Sequence, residues 1–245
     1  PLVFDVEANK GALKDFETVV GRRRSGESVA VILGEKEFFG RSFVVNSAVL
    51  IPRPDTETLV QAALETGDHL DKELSGGQQR GDGQRSFLAL APSLRVHDVC
   101  TGSGAVAISI ACERPSWRLS ASDISEEALS VARQNWTRLL GSRIPQDEIE
   151  FSCSDLLAVF STPKTNAVFD IITANPPYVP SEETDTMVAT GCKEPRIALD
   201  GGPDGLDFVR RLIPQAKALL APGGYLLLES DPFQVAAICA MLTQN

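Results

Sequence analysis

An amide side chain, two prolines and a phenol stand in a row at Asn175-Pro176-Pro177-Tyr178, directly after the apolar run Phe169-Asp170-Ile171-Ile172-Thr173-Ala174. The run reads as a buried strand, and the prolines, with φ fixed and no N–H to donate, end it there. Asn175 therefore belongs at the carboxyl end of a parallel strand, where open α/β sheets bind their ligands. An amide oxygen and an unpaired backbone carbonyl accept the two hydrogens of a planar –NH2 group, and a tyrosine ring covers its face. The chemistry this suits is methylation of an amino or amide nitrogen. Asn175, Pro176, Pro177 and Tyr178 are the candidate catalytic residues, and Asn175 also borders the expected methyl donor.

A second cluster belongs with that donor. Asp98-Val99-Cys100-Thr101-Gly102-Ser103-Gly104 follows a predicted strand and opens a helix. Glycines there let the backbone approach a ligand, and the helix start offers free N–H groups. Taken alone this is weak, because dinucleotide sites carry similar turns. Asp123 stands roughly 20 residues on, where a carboxylate accepts both hydroxyls of a ribose. A third strand ends at Ser154-Asp155-Leu156, an acid and an apolar side chain able to flank adenine. The three strand ends together point to an adenosine-containing cofactor held by Cys100, Thr101, Gly102, Ser103, Gly104, Asp123, Asp155 and Leu156. For Asp123 or Asp155 singly, a helix cap or polar strand end explains the residue equally well.

The elements that position these residues alternate. Strands are predicted at Arg95–Val99, Arg118–Asp123, Ile149–Cys153, Phe169–Asn175 and Tyr225–Glu229. Helices are predicted near Ala105–Cys112, Ser125–Leu139 and Leu206–Leu220, with Ser125 as an N-cap and Glu126 and Glu127 in the first turn. Such alternation implies an α/β fold, a doubly wound parallel sheet with helices on both faces. Upstream, Asn9–Val20 has helical spacing and is closed by Gly21 and Arg22-Arg23-Arg24. Val29–Leu33, Glu37–Phe39 and Phe43–Val45 read as short strands of a hairpin-like unit, with Gly34 and Gly40 as turns. Leu50-Ile51-Pro52-Arg53-Pro54-Asp55-Thr56-Glu57 reads as a rigid extended segment leading into a helix. Between Gly67 and Pro92 periodicity is lost, and the Gly-rich Gly76–Gln84 stretch reads as a flexible surface insertion.

Composition limits the alternatives. A chain of 245 residues with 43% hydrophobic content can bury a core. No apolar run reaches the roughly 18 residues of a membrane span, and no signal peptide is visible. The lack of an initiator Met suggests a fragment or a processed chain. Five dispersed cysteines without C-x-x-C suit a reduced intracellular compartment and no zinc site. The formal net charge of −10 argues against a broad nucleic-acid footprint.

With these residues in view, the chain resembles the release-factor glutamine N5-methyltransferases, which use S-adenosyl-L-methionine. The resemblance runs from about Phe16 to the C-terminus, broken by the Gly67–Pro92 insertion. It rests on Gly34–Phe38, Leu50–Glu57, Asp98–Gly104, Asn175–Tyr178, Glu194-Pro195, Ala198-Leu199, Gly201-Gly202, Asp204–Leu206 and Pro222–Gly224. Asn-Pro-Pro-Tyr is shared with adenine N6-methyltransferases, whereas the Ile-Pro-Arg-Pro-Asp-Thr-Glu block is far more selective.

The resemblance implies a seven-stranded Rossmann-like methyltransferase sheet behind a small helical domain. The expected substrate is the glutamine of the Gly-Gly-Gln loop in a class 1 peptide chain release factor. Cys100–Gly104 would then line the methionine side of the cofactor, Asp123 its ribose, and Asp155 with Leu156 its adenine. Asn175–Tyr178 would grip the target amide. Residues 1–26 would be the remnant of the helical domain, 27–49 a β-hairpin linker, and 50–245 the methyltransferase domain with 67–92 inserted.

Three departures stand out. Cys100 replaces a usual glycine, so positive φ should be avoided there. The helical domain is nearly absent, and the last two strands of the sheet appear truncated, exposing an edge. A cytoplasmic setting is expected, with a mitochondrial matrix as the alternative. The competing functions are an adenine N6-methyltransferase acting on nucleic acid and a non-catalytic S-adenosylmethionine-binding module.

Overall fold

The computed structural model describes residues 10–76, 93–141, 149–160 and 168–244. Its centre is a five-stranded, wholly parallel sheet in the order β5-β4-β3-β6-β7. The strands are β3 (Arg95–Val99), β4 (Arg118–Asp123), β5 (Glu150–Cys153), β6 (Phe169–Ala174) and β7 (Leu220–Leu228). The chain runs outward from β3 through β4 to β5, then returns to lay β6 on the other side of β3. That reversal opens a crevice above the carboxyl ends of β3 and β6, where such sheets hold ligands.

Both faces of the sheet are covered, as the near-continuous apolar strands require. On one face α3 (Glu57–Gly76), α4 (Ala105–Glu113) and α5 (Glu126–Leu140) enclose Leu59, Val60, Val96, Ile108 and Ile171. On the other, α7 (Asp207–Leu219) packs Leu212 and Ala216 against Val99, Leu157 and Ile172. Adjacent Ile171 and Ile172 serve opposite faces, the period-two pattern of a central strand. α6 (Ser181–Ala189) and α8 (Val235–Gln244) follow later in the chain. Ser125 caps α5 as expected, its side chain accepting from the Ala128 N–H.

The N-terminal part departs from the sequence expectation in two places. α1 (Lys10–Arg24) runs on through Gly21 and the arginines, and Arg22 then pairs with Glu27 at 2.6 Å. Val29–Leu33, expected as a strand, is the short helix α2. Ser28 accepts from the Val31 N–H, and Gly34, left-handed at φ 78°, returns its N–H to the Ala30 carbonyl. Caps at both ends thus override the β-preference of Val29, Val31 and Ile32. Only β1 (Glu35–Phe38) and β2 (Arg41–Val44) form the antiparallel hairpin.

A third correction concerns Gly67. Periodicity is not lost there, because α3 continues to Gly76. The glycine makes room for a partner: a Cβ at Gly67 would lie 2.0 Å from the Trp117 ring. Trp117 Nε1 donates to Asp71 at 2.9 Å and Arg114 pairs with Asp68 at 2.6 Å, fixing the far half of the helix. His69, expected in a loop, lies on this helix beside Glu73. The Gly77–Pro92 part of the expected insertion, with Gln78, lies outside the described residues. The sheet has five strands among the described residues, against the seven implied by the resemblance.

Candidate active site

β3 delivers Asp98 and Val99 to the crevice, and the chain then turns through Cys100–Gly104 into α4. Three residues of this turn hold positive φ: Cys100 at 56°, Gly102 at 55° and Gly104 at 79°. The expectation that Cys100 avoids this region is therefore wrong. The preceding strand and following helix dictate the turn, and Cys100 bears the left-handed strain of order 1 kcal/mol. Gly104 has no room for a side chain, since a Cβ would stand 2.8 Å from Ile108 and 3.1 Å from Ala132.

Buried acids brace the turn from below. Asp98 accepts from Thr101 Oγ1 at 2.6 Å and from Thr173 Oγ1 at 2.7 Å, tying β3 to the turn and to β6. Burial pushes its carboxyl up to about 6, against the pull of these hydrogen bonds. Asp123, at the end of β4, accepts from Gly102 N–H at 2.8 Å and from Ser125 N–H at 3.0 Å. Burial raises it too, with those backbone donors opposing. Asp123 thus fills the role of a cap while keeping lone pairs to spare. Burial pushes the Cys100 thiol well up, so it stays neutral.

These groups open onto a cavity of about 270 Å³. Cys100, Thr101, Gly102, Ser103, Asp123, Asp155, Asn175 and Pro177 all line it. Four expected residues stand elsewhere. Gly104 sits beneath the turn as the N-terminal cap of α4. Leu156, at φ 53°, is buried in the core with Leu157 and Ile172, so it does not flank the cavity. Ile124, one residue beyond Asp123, and Phe208 of α7 supply apolar wall instead. Pro176 is buried, and Tyr178 turns away to donate from Oη to Glu229 Oε1 at 3.3 Å. Asp155 reaches the wall but is ion-paired with Arg211 of α7.

Opposite the glycine turn stand Asn175 and Thr56, the latter from the turn Pro54–Thr56. Asn175 Nδ2 donates to Thr56 Oγ1 at 3.2 Å. Arg53, held between two prolines, is clamped by Glu194, which also accepts from the Ile51 N–H at 3.0 Å. Glu57, four residues on, instead accepts from the Phe39 N–H. His97, inside β3, bonds Ser120 and Ser122, and burial lowers it to about 3. It is a neutral core residue. Sequence reasoning missed Thr56 as a wall residue and Glu229 as a neighbour of Asn175. The only signal for Glu229 was its position as the expected end of the last strand.

Acids on one wall, apolar side chains around the rim and an amide opposite suit a cationic donor meeting an uncharged nitrogen acceptor. Comparison with known proteins agrees. A model of the methyltransferase small domain matches residues 85–193. The release factor glutamine methyltransferase of Moorella thermoacetica is 38% identical over 236 residues, 96% of this chain and 73% of that protein. That of Neisseria gonorrhoeae is 40% identical, covering 91% of this chain and 71% of its own length. The Koribacter versatilis protein of the same name is 39% identical, covering 87% and 66%. The chain therefore spans about two thirds to three quarters of these relatives.

Among solved structures, a methyltransferase from Pyrococcus furiosus aligns with a TM-score of 0.50 at 17% identity, covering 94% of this chain and 87% of its own. The S-adenosylmethionine-dependent methyltransferase from Agrobacterium tumefaciens reaches 0.52 at 13% identity, covering 85% and 57%. Those two likenesses are of fold. The relatives in sequence go further, because they match at 38–40% over 91–96% of this chain: the chain belongs to the release factor glutamine methyltransferase family.

Proposed function

We propose that this chain transfers a methyl group from S-adenosyl-L-methionine to the side-chain amide nitrogen of the glutamine in the Gly-Gly-Gln loop of a class 1 peptide chain release factor. The observation that carries the reading is that the braced glycine turn and Asn175 face one another across a single cavity. The family membership of the chain supplies the substrate class.

The residues fit the donor. Bound S-adenosylmethionine supplies an electrophilic methyl on a sulfonium, with a second positive charge on its amino group. Asp98 and Asp123 give the wall the opposite sign, Asp155 being balanced by Arg211, and Gly102 and Ser103 offer backbone at close range. Asp123 would hold the ribose, while Ile124 and Phe208 border the adenine.

Amide nitrogen is a poor nucleophile, because its lone pair is delocalised into the carbonyl. Asn175 Oδ1 accepts an N–H hydrogen of the amide and turns the nitrogen face towards the methyl. Positioning of this kind contributes up to ~7–11 kcal/mol. Tyr178 supports the turn from outside the wall rather than covering the amide. Beside the cavity, and sharing Arg53 with it, a groove of about 650 Å³ lined by Arg22, Ser28, Asn46 and Lys193 gives a polypeptide a path to Asn175. Residues 27–49, with the hairpin and α2, form one side of that path, and 50–245 carry the chemistry.

The test is transfer of labelled methyl to a purified class 1 release factor, beside its Gly-Gly-Gln→Gly-Gly-Ala variant and an adenine-containing duplex. Label on the wild-type factor alone is expected. Label on the duplex would replace the reading with adenine methylation. Cofactor binding with no label anywhere would leave a binding module.

A further inference from the structure

The amide of an asparagine is useful to an –NH2 acceptor in only one of its two orientations. Turned by 180°, Asn175 would present its own –NH2 to the substrate and repel it. Whatever sets that rotation controls the reaction without touching the reacting atoms.

Two side chains from distant segments, Thr56 and Glu229, lie beside Asn175. Thr56 Oγ1 accepts from Asn175 Nδ2 at 3.2 Å. Glu229 follows β7 and is drawn against β6, its N–H donating to the Ala174 carbonyl at 3.0 Å. Its Oε1 accepts from Tyr178 Oη. Its Oε2 is buried with no partner at full hydrogen-bond geometry among the described residues. Thr56 and Asn175 nonetheless lie close enough to favour its charged form, while burial and Asp55 oppose it. An ionised carboxylate only accepts. A carboxylate in that place favours a Thr56 O–H turned towards it, which leaves lone pairs for Asn175, and only Nδ2 can satisfy those.

We infer that Glu229 and Thr56 are positioning residues that lock the Asn175 amide with Oδ1 facing the acceptor nitrogen. The inference rests on the proposed amide methylation for its kinetic readout, but not for its structural one. A buried carboxylate with an unfilled oxygen costs stability. At the back of an amide it also fixes polarity, as a neutral side chain of the same shape would not.

The experiment compares wild type with Thr56→Val, Thr56→Ser and Glu229→Gln. It measures kcat and KM for the release factor, cofactor Kd by calorimetry, Tm, and hydrogen exchange of the 15N-labelled Asn175 side-chain amide. Thr56→Val and Glu229→Gln are expected to lower kcat by about 10-fold or more, with cofactor Kd within about 2-fold. Thr56→Ser restores the hydroxyl and should return kcat to within about 3-fold of wild type. Tm of Glu229→Gln should not fall, because a charge that burial opposes is removed.

Exchange at Asn175 should be slow in wild type and Thr56→Ser and fast in the other two. Wild-type kcat in both Thr56→Val and Glu229→Gln overturns the inference and leaves the proposed function standing. So does parallel loss of kcat and cofactor affinity. If wild type itself labels no release factor, the substrate reading fails, and the exchange data alone decide. Equal exchange in all four proteins then overturns the lock.

Discussion

The two walls of the cavity are made in opposite ways. The donor wall is local: one short loop, Cys100–Gly104, bends through three positive-φ residues, and Asp98 and Asp123 brace it from the strands on either side. The acceptor wall is assembled from afar. Asn175 comes from the end of β6, Thr56 from a turn 119 positions earlier, and Tyr178 leans on Glu229 51 positions later. The first wall is rigid because its backbone has nowhere else to go. The second is ordered only as long as several side chains agree. Damage to the donor wall should therefore appear as lost stability, and damage to the acceptor wall as lost turnover with the fold intact.

Asn175→Ala tests that division most severely. It should reduce kcat about 100-fold, since oriented acceptance of the amide hydrogen is lost, while cofactor Kd changes by less than about 2-fold. Turnover near wild type would remove Asn175 from the mechanism.

The next effect lies on the donor wall. Burial raises Asp98 to about 6 in the fold, above the ~3.9 of an unfolded chain. Below about pH 4 both states are protonated. Between about pH 4 and 6 the unfolded chain gives up its proton and the fold does not, so stability falls as pH rises, by about 3 kcal/mol in all. Asp98→Asn should flatten that part of the curve. Urea midpoints of both proteins at pH 4, 5, 6 and 7 isolate the difference. Asp68, Asp200 and Asp204 are held low by hydrogen bonds, mostly to arginine, and shift the two curves alike.

Gly104→Ala should cost about 2 kcal/mol, from a methyl forced at positive φ against Ile108 and Ala132. A Tm equal to wild type would show that α4 can shift to receive it. The smallest effect is expected for Cys100→Gly. Relief of left-handed strain worth about 1–2 kcal/mol, less about 0.5–1 of added unfolded freedom, should raise stability by roughly 0.5 kcal/mol. A drop in stability would mean that packing of the thiol outweighs its backbone strain.

The same contrast explains what could be read from the sequence. Gly102 and Asp123 were legible as cavity residues because spacing along the chain puts them at strand ends, and the strands at Arg95–Val99 and Arg118–Asp123 came out at those bounds. Asn175 was legible because prolines stop a strand wherever they stand. Glu229 was not, since its nearness to Asn175 depends on β7 pairing with β6, a fact of topology rather than of spacing. α2 was misread because Ser28 and Gly34 outweigh a run of β-branched residues. α3 was cut short at Gly67, whose reason is an indole from a loop 50 positions away. Leu156 was assigned to the cavity by position alone, and its left-handed backbone sends it into the core instead.

One buried side chain joins three parts of the molecule at a single amide. Asn135 of α5 accepts from the Val44 N–H at 2.7 Å and donates to the Val44 carbonyl at 3.0 Å and the Ser103 carbonyl at 2.9 Å. The amide thus works as a three-way rivet between hairpin, helix and glycine turn. Peeling the hairpin away frees the Asn135 amide to turn from the Ser103 carbonyl, and tightening the turn holds the hairpin down. Whatever settles into the cavity should therefore slow deuterium uptake at Val44, on a strand it never touches.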